Sequence, residues 1–170
     1  MTRRDWLNKW LHYLLALLPV WWLDAYILTR FPVLGVSAVL LPVAVTAVGV
    51  LEGVAGGAGF GFGAGLLWAT AYAGGAGERV LLLTLVGMFT GALAQYALAR
   101  TLMGCVLCSA CALGALELLD IVIELFFMRA DLWALLCVAV PQLLWTLVWT
   151  PVVYGIFYRV YDRVGGDRLV

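Results

Sequence analysis

The sequence is poor in charged residues. Asp, Glu, Lys and Arg make up 12% of its 170 residues, and histidine occurs once. A soluble domain usually carries about a quarter charged residues, because its surface must face water. Ten basic residues balance ten acidic ones, and no dense basic cluster is present. This composition excludes an ordinary water-soluble globule and argues against a protein that binds nucleic acid.

The short motifs of common enzymes are also missing. The chain has no H-E-x-x-H metalloprotease motif and no G-x-S-x-G nucleophile elbow. Its glycine-rich stretch ends in Gly65-Leu66-Leu67, where a phosphate-binding loop would continue with Lys and Ser or Thr. We therefore expect no catalytic centre, no nucleotide site and no cofactor.

Apolar side chains are what the sequence has in excess, at 65% of all residues. A helix of about 20 apolar residues spans the ~30 Å hydrocarbon core of a bilayer. Windows of that length identify six apolar spans, over residues 11–28, 33–51, 55–72, 80–98, 103–127 and 133–157. The sequence thus predicts an all-α, polytopic integral membrane protein, with residues 1–170 forming one transmembrane domain of six transmembrane helices.

The basic residues predict the orientation of these spans. Short loops rich in Lys and Arg stay in the cytoplasm. The side that holds both termini carries seven of them: Arg3, Arg4, Lys9, Arg100, Arg159, Arg163 and Arg168. The opposite side carries three: Arg30, Arg79 and Arg129. We therefore expect the N- and C-termini to be cytoplasmic.

Residues 53–65 read GVAGGAGFGFGAG and form the most unusual stretch of the chain. Read as a helix, this stretch carries small residues at every fourth position, and positions four apart share one helix face. The third and fourth predicted spans both show this spacing, at Gly53, Gly57, Gly61, Gly65, Gly87 and Gly91. A second row, Gly59 and Gly63, repeats it. Small-xxx-small rows let helix backbones approach closely in lipid, so we predict helix contact here, either within the chain or with a partner's helix.

The fifth span carries three acids, Glu117, Asp120 and Glu124, separated by three and four residues. This spacing places them on one helix face, and acids inside a membrane usually mark functional surfaces. Three interpretations stay open: the helix reaches the membrane surface near residue 120, the acids face the bundle or a partner, or they relay protons or cations.

Cys105, Cys108 and Cys111 form a C-x-x-C-x-x-C run, with Cys137 further along. On a helix, positions three and six apart drift around the axis and do not converge on one ion, so we interpret these cysteines as small packing residues rather than a metal site. In the sixth span, Gln142, Thr146 and Thr150 form a polar row. We expect this row to hydrogen-bond a neighbouring span, and a role in lining a substrate site stays open.

Two segments resemble a known family. The run from LLALLPVWWLDAYILTRF to GAGFGFGAGLL is similar to the first half of the rod shape-determining protein MreD family, including its G-x-x-x-G-x-x-x-G-F-x-x-G-L-L block. The tail LLWTLVWTPVVYGIFYRVYDRV resembles the C-terminal span of that family. Trp68 stands near the position where MreD proteins commonly carry an Asp soon after G-L-L.

The resemblance implies a non-enzymatic membrane scaffold of the bacterial cell-elongation machinery, in the cell (inner) membrane. Such proteins act in rod shape determination and coordinate peptidoglycan synthesis by binding the single-span protein MreC. Through MreC they connect indirectly to MreB filaments and to the wall-building glycosyltransferase and transpeptidase. The resemblance carries over to Gly53, Gly57, Gly61 and Gly65, whereas the acids of the fifth span are interpreted from this sequence alone.

Two other functions stay open. The substrate-binding S-component of an energy-coupling-factor vitamin transporter also has six helices and short loops. Its A-x-x-x-A docking motif is missing here, since the first span offers only Ala16 and Ala25. A small channel or ion carrier built on Glu117, Asp120 and Glu124 would need partner charges that the spans do not show.

Overall fold

The computed structural model describes residues 3–30, 32, 35–71, 76–96, 101–128 and 131–165, and the side chains of 8–30, 32, 35–70, 77–95, 101–127 and 131–164. Within these ranges the chain is almost entirely helical and has no strand, which confirms the all-α prediction. The helices are α1 (Arg3–Trp22), α2 (Leu40–Glu52), α3 (Val54–Ala71), α4 (Ala76–Tyr96), α5 (Leu102–Ile123) and α6 (Leu132–Gly165). A π-helical turn, Leu23–Ile27, and a 3₁₀ turn, Leu28–Arg30, extend α1, and a second π-helical turn, Glu124–Met128, extends α5.

Four of these helical segments are long and apolar enough to cross a membrane. They are Asn8–Arg30, Gly77–Gln95, Leu102–Phe127 and Leu132–Val164. The remaining two apolar helices, Leu40–Glu52 and Val54–Thr70, are shorter. The chain therefore has the helices of an integral membrane protein, as its composition predicts.

The second predicted span is shorter as a helix than the sequence indicates. Residues 33–51 form a continuous apolar run, but α2 begins only at Leu40. Val39 has an extended backbone, with φ −118° and ψ 100°, and residues 36–39 are not helical. Pro42 lies in the first turn of α2, where a missing N–H removes no intrahelical hydrogen bond. Hydropathy alone did not locate this boundary, because the non-helical residues are as apolar as the helix.

Helix α2 lies at the centre of the bundle. Every residue from Leu40 to Leu51 is buried, and α2 contacts all five other helices. Its apolar side chains, including Leu41, Val45 and Val48, form the middle of the main core cluster. A helix that is apolar all round is expected in such a fully enclosed position.

The two ends of the bundle are defined by contacts between α1 and α2. Lys9 near the start of α1 forms an ion pair with Glu52 at the end of α2. At the other end, Asp24 Oδ1 accepts a hydrogen bond of 2.8 Å from the backbone N–H of Leu40, the first residue of α2. The two helices are therefore antiparallel. We refer to these ends as the Lys9 end and the Asp24 end.

Candidate functional site

The most extensive helix contact in the described part of the chain joins α3 to α4, and it runs through glycine backbone. A Cβ atom built on Gly57 would overlap the carbonyl oxygen of Gly87, and a Cβ on Gly87 would overlap the carbonyl oxygen of Gly57. Neither position can carry a side chain unless the two backbones move apart. The bare backbone thus allows the van der Waals contact that holds helices together where lipid offers no hydrophobic reward.

The same contact continues along both helices. A Cβ on Gly61 would overlap the Leu83 carbonyl, and one on Gly65 would lie 2.6 Å from the Cα of Val80. In the other direction, a Cβ on Gly91 would lie 2.5 Å from the carbonyl carbon of Gly53. The structure therefore places Gly57, Gly61, Gly65, Gly87 and Gly91 in one contact between α3 and α4, which we call the glycine seam.

Gly53 has a different role from the rest of the predicted set. It is the single residue between α2 and α3, and its φ of 83° lies in the region that disfavours L side chains. Its N–H donates to the carbonyl of Gly49 at 2.9 Å, and its own carbonyl accepts from Gly57 at 2.8 Å. Gly53 thus makes the sharp turn that lets α3 fold back along α2.

Gly49 belongs to the same contact and was not predicted. A Cβ built on Gly49 would lie 2.5 Å from Thr90 Oγ1 and 3.0 Å from the carbonyl oxygen of Gly87. The Cα of Gly49 also lies 2.8 Å from the position of a Cβ on Gly57. The backbones of α2, α3 and α4 therefore meet at Gly49, Gly57 and Gly87. The sequence does contain the pattern that identifies Gly49, because Gly49 precedes Gly53 by four residues and extends the same spacing.

The second glycine row of α3 is not used inside the chain. Apart from the neighbouring residues and backbone of α3 itself, no described atom lies within 4 Å of a Cβ built on Gly59 or Gly63. Phe62 and Leu66, which flank this row, are exposed at 52% and 47%. Helix α3 thus has one glycine face packed against α4 and a second glycine face open to its surroundings.

The three predicted acids of α5 lie in three different environments. Asp120 accepts two hydrogen bonds of 2.9 Å from Arg79 Nη2 of α4. Glu117 is half-buried, and Glu124 is exposed. They do not form a continuous buried row. The predicted fourth span begins after Arg79, and the sequence gives no indication that Arg79 pairs with Asp120, since the two residues are 41 positions apart.

A cavity of about 130 Å³ lies beside this ion pair, towards the Asp24 end. Its polar wall consists of Trp68, Arg79, Glu117, Asp120 and Gln142, and apolar residues of α2, α4 and α5 complete it. The guanidinium of Arg79 lies 5.9 Å from the ring centroid of Trp68, within cation–π range. We call this space the outer cavity. It gathers side chains from α3, α4, α5 and α6 and is the strongest candidate for a small binding site.

Polar side chains also support the non-helical residues before α2. The backbone N–H of Val39 donates to Thr146 Oγ1 of α6 at 3.1 Å, while Asp24 accepts from Leu40. Irregular backbone at membrane depth is tolerated only where protein satisfies its polar groups. Thr146 of the predicted polar row therefore has the bonding role expected of it, and Gln142 lines the outer cavity. The hydroxyl of Thr150 has no partner among the described residues.

Two further polar contacts link helices and were not predicted. Thr46 Oγ1 of α2 and Ser109 Oγ of α5 lie 2.8 Å apart, both fully buried. At the Lys9 end, Tyr13 donates to Glu52 Oε1 at 2.7 Å, so Glu52 contacts both Tyr13 and Lys9. Single polar residues within apolar runs give no indication of which distant residue they contact.

The cysteines are dispersed. Cys105 and Cys108 are buried in the bundle, whereas Cys111 and Cys137 are exposed. Among the described residues, no group of three or more His, Cys, Asp or Glu side chains is arranged to hold a metal ion. Comparison with known proteins assigns no relatives: no family model, no curated protein and no solved structure matches this chain.

Proposed function

We propose that this protein is a non-enzymatic scaffold of the bacterial cell (inner) membrane that acts in cell elongation, as its resemblance to MreD implies. In this proposal it binds an MreC-like single-span protein through helix–helix contact. Its links to MreB and to the wall-building glycosyltransferase and transpeptidase are indirect. The observation that carries the proposal is the open glycine row at Gly59 and Gly63.

The glycines of this row lower the stability of α3, and no contact within the fold requires them. Glycine is about 1 kcal/mol less favourable than alanine in a helix interior. At Gly57 and Gly61 glycine is required despite this loss of helix stability, because a Cβ would collide with α4. Gly59 and Gly63 face open space, so Ala would be accommodated there without a clash. A single transmembrane helix packed on this face would need the bare backbone and would supply the missing contact.

Six membrane crossings with both termini in the cytoplasm are part of this proposal. Helix α2 has 13 residues and rises only ~20 Å. Residues 36–39 add up to ~13 Å when extended, and together the two segments approach the ~30 Å of the hydrocarbon core. Helix α3, with 18 residues, rises ~27 Å. The ion pair between Lys9 and Glu52 is consistent with this topology, because it brings the turn between α2 and α3 to the N-terminal end of α1.

One observation favours the second candidate, the S-component of a vitamin transporter. The outer cavity brings together more polar side chains than the sequence alone indicates. Its volume of about 130 Å³ is nevertheless well below the ~300–1,000 Å³ typical of sites that enclose a drug-sized ligand. Taken by itself, the cavity is therefore smaller than a site that encloses a vitamin, which supports the scaffold.

The test is co-purification of the chain with the MreC-like protein of the same genome, both expressed in one membrane. The double variant Gly59→Leu/Gly63→Leu should reduce recovery of the partner at least tenfold while the folded yield stays unchanged. Gly155→Leu in α6 is the matched control, because Gly155 also faces open space, and it should retain the partner. Failure of the unaltered chain to bind the partner would refute the function. Full binding by the double variant would show that the partner does not bind at the Gly59 and Gly63 face. A vitamin found in the purified protein by mass spectrometry would favour the second candidate.

A further inference from the structure

A second concave surface lies between α4 and α5. It is an apolar groove of about 360 Å³, with walls that include Leu85 and Phe89 of α4 and Cys111 and Ala115 of α5. Helices α4 and α5 pack much less extensively than α3 and α4, which leaves this space between them. We call it the α4–α5 groove.

The groove and the outer cavity adjoin each other. Leu82 of α4 and Leu116 of α5 line both of them. From Leu82 the groove follows α4 to Leu93, a distance of roughly 16 Å at 1.5 Å per residue. A small polar compartment near the Asp24 end thus lies next to a long apolar compartment that leads away from it.

The groove opens sideways into the region where lipid would lie. Leu85, Phe89 and Leu93 are exposed at 44%, 59% and 43%, and they belong to a segment that is apolar enough to span a membrane. Of the groove's walls, only small parts are polar, such as the Thr90 hydroxyl, which donates to the Val86 carbonyl of its own helix. An acyl chain is an occupant that matches both the shape and the chemistry of this compartment.

The charges of the outer cavity indicate which headgroup it would hold. Arg79 uses only Nη2 in its contact with Asp120, which leaves Nη1 and Nε to donate to a phosphate in the planar geometry that guanidinium groups favour. The Glu117 carboxylate and the Gln142 amide line the same space, and Glu117 is near enough to Arg79 to feel its charge. One cation and two carboxylates give the cavity a formal charge of −1, which opposes an anionic headgroup.

We propose that the outer cavity and the α4–α5 groove together bind one molecule of phosphatidylethanolamine. Its phosphate lies against Arg79, its ammonium lies against Glu117, and one acyl chain fills the groove. A zwitterion satisfies both signs of charge in the cavity, whereas phosphatidylglycerol satisfies only Arg79 and meets an excess of carboxylate. This site is separate from the open glycine row of α3, so it stands whether or not the chain binds an MreC-like partner.

The experiment is native mass spectrometry of the full chain, delipidated in detergent and titrated with dioleoyl-phosphatidylethanolamine or dioleoyl-phosphatidylglycerol. We expect one molecule of the ethanolamine lipid to bind at least tenfold more tightly than the glycerol lipid. Glu117→Gln should reduce this preference to twofold or less. Glu124→Gln, on the same helix but exposed, is the matched control and should leave the preference unchanged.

A third variant tests the groove. Ala115→Phe places a ring between α4 and α5 and should weaken both lipids at least tenfold. Ala115 is exposed, so we expect the variant to fold. If thermal unfolding shows that it does not fold, the lipid preference of Glu117→Gln tests the proposal instead. Equal binding of the two lipids, or an unchanged preference in Glu117→Gln, would overturn the proposal. So would a soluble molecule, or a partner helix cross-linked to Ala115→Cys, as the occupant of this space.

Discussion

Gly57 of α3 and Gly87 of α4 exclude a side chain from each other, because a Cβ on either would overlap the other's carbonyl oxygen. This contact is mutual, and Gly49 of α2 joins it from a third side. The packing of α2, α3 and α4 therefore depends on three residues without side chains. The glycine seam is a structural requirement of the fold, whereas the open row of α3 is not.

The seam and the open row predict opposite effects of the same substitution. Gly57→Ala should lower the free energy of unfolding by about 1–3 kcal/mol, since the helices must separate to admit a methyl group. Gly59→Ala, in the same helix, should raise it by up to ~1 kcal/mol through helix propensity. Denaturant-driven unfolding in mixed micelles measures both. Equal effects of the two substitutions would show that α3 and α4 do not pack as described.

The turn at Gly53 is predicted to be strained by any side chain. Its φ of 83° and ψ of −167° lie in a region that is essentially restricted to glycine, at a cost of about 1–3 kcal/mol for other residues. A Cβ there would also lie 2.5 Å from Gln95 Nε2. Gly53→Ala should therefore destabilise the protein in the Gln95→Ala background too. Complete rescue by Gln95→Ala would mean that the clash, and not the backbone, causes the loss.

Asp24 is expected to stabilise the start of α2 as a hydrogen-bond acceptor. Asp24→Ala leaves the buried N–H of Leu40 without its partner and should cost about 1–3 kcal/mol of unfolding free energy. Asp24→Asn keeps an acceptor for this N–H and should cost clearly less. Hydrogen exchange at the Leu40 amide provides a local measurement, with faster exchange expected only for the alanine variant. An Asn variant as unstable as the Ala variant would show that the second carboxylate oxygen has a role of its own.

Thr46 and Ser109 should show a measurable interaction between α2 and α5. The Thr46 hydroxyl donates to the Val43 carbonyl at 2.8 Å, so Ser109 is the donor in the contact between the two hydroxyls. A double-mutant cycle with Thr46→Val and Ser109→Ala should give a coupling of ~0.6–1.7 kcal/mol, between the average and the maximum found for hydrogen bonds between membrane helices. Thr90→Val is the control partner, because Thr90 bonds only within its own helix. A coupling near zero for Thr46, as for Thr90, would contradict the assignment.

Cysteine labelling tests the proposed six crossings. In a background without native cysteines, Ala55→Cys and Arg163→Cys should react with a membrane-impermeant maleimide only after the cytoplasmic face is opened. Gly77→Cys and Asp131→Cys should react from outside, and all four positions have exposed side chains or backbone. Labelling of Ala55→Cys from the same side as Asp131→Cys would refute the crossing of α2 and α3.

The helical class could be predicted from the average hydropathy of six long apolar runs. Hydropathy is a local property, so each run can be recognised without knowing which helices pack against it. The contact of Gly57 with Gly87 was suggested by spacing alone, since a period of four residues identifies a helix face. The beginning of α2 at Leu40 was not predictable in this way, because Val36 and Val39 are as apolar as the helix that follows. The pairing of Arg79 with Asp120, and with it the outer cavity, depends on which helices are neighbours, and that order is a property of the whole bundle.

The central position of α2 has a consequence for how the protein is made. Helix α2 contacts α6 as well as α1, α3, α4 and α5. Its surroundings are therefore complete only when α6 has been synthesised. Until then, the backbone N–H of Val39 lacks Thr146 of α6, its hydrogen-bond partner in the finished bundle. A ribosome-bound chain that stops before residue 132 should consequently remain a client of the insertion machinery, with α2 still accessible to cross-linking by its insertase.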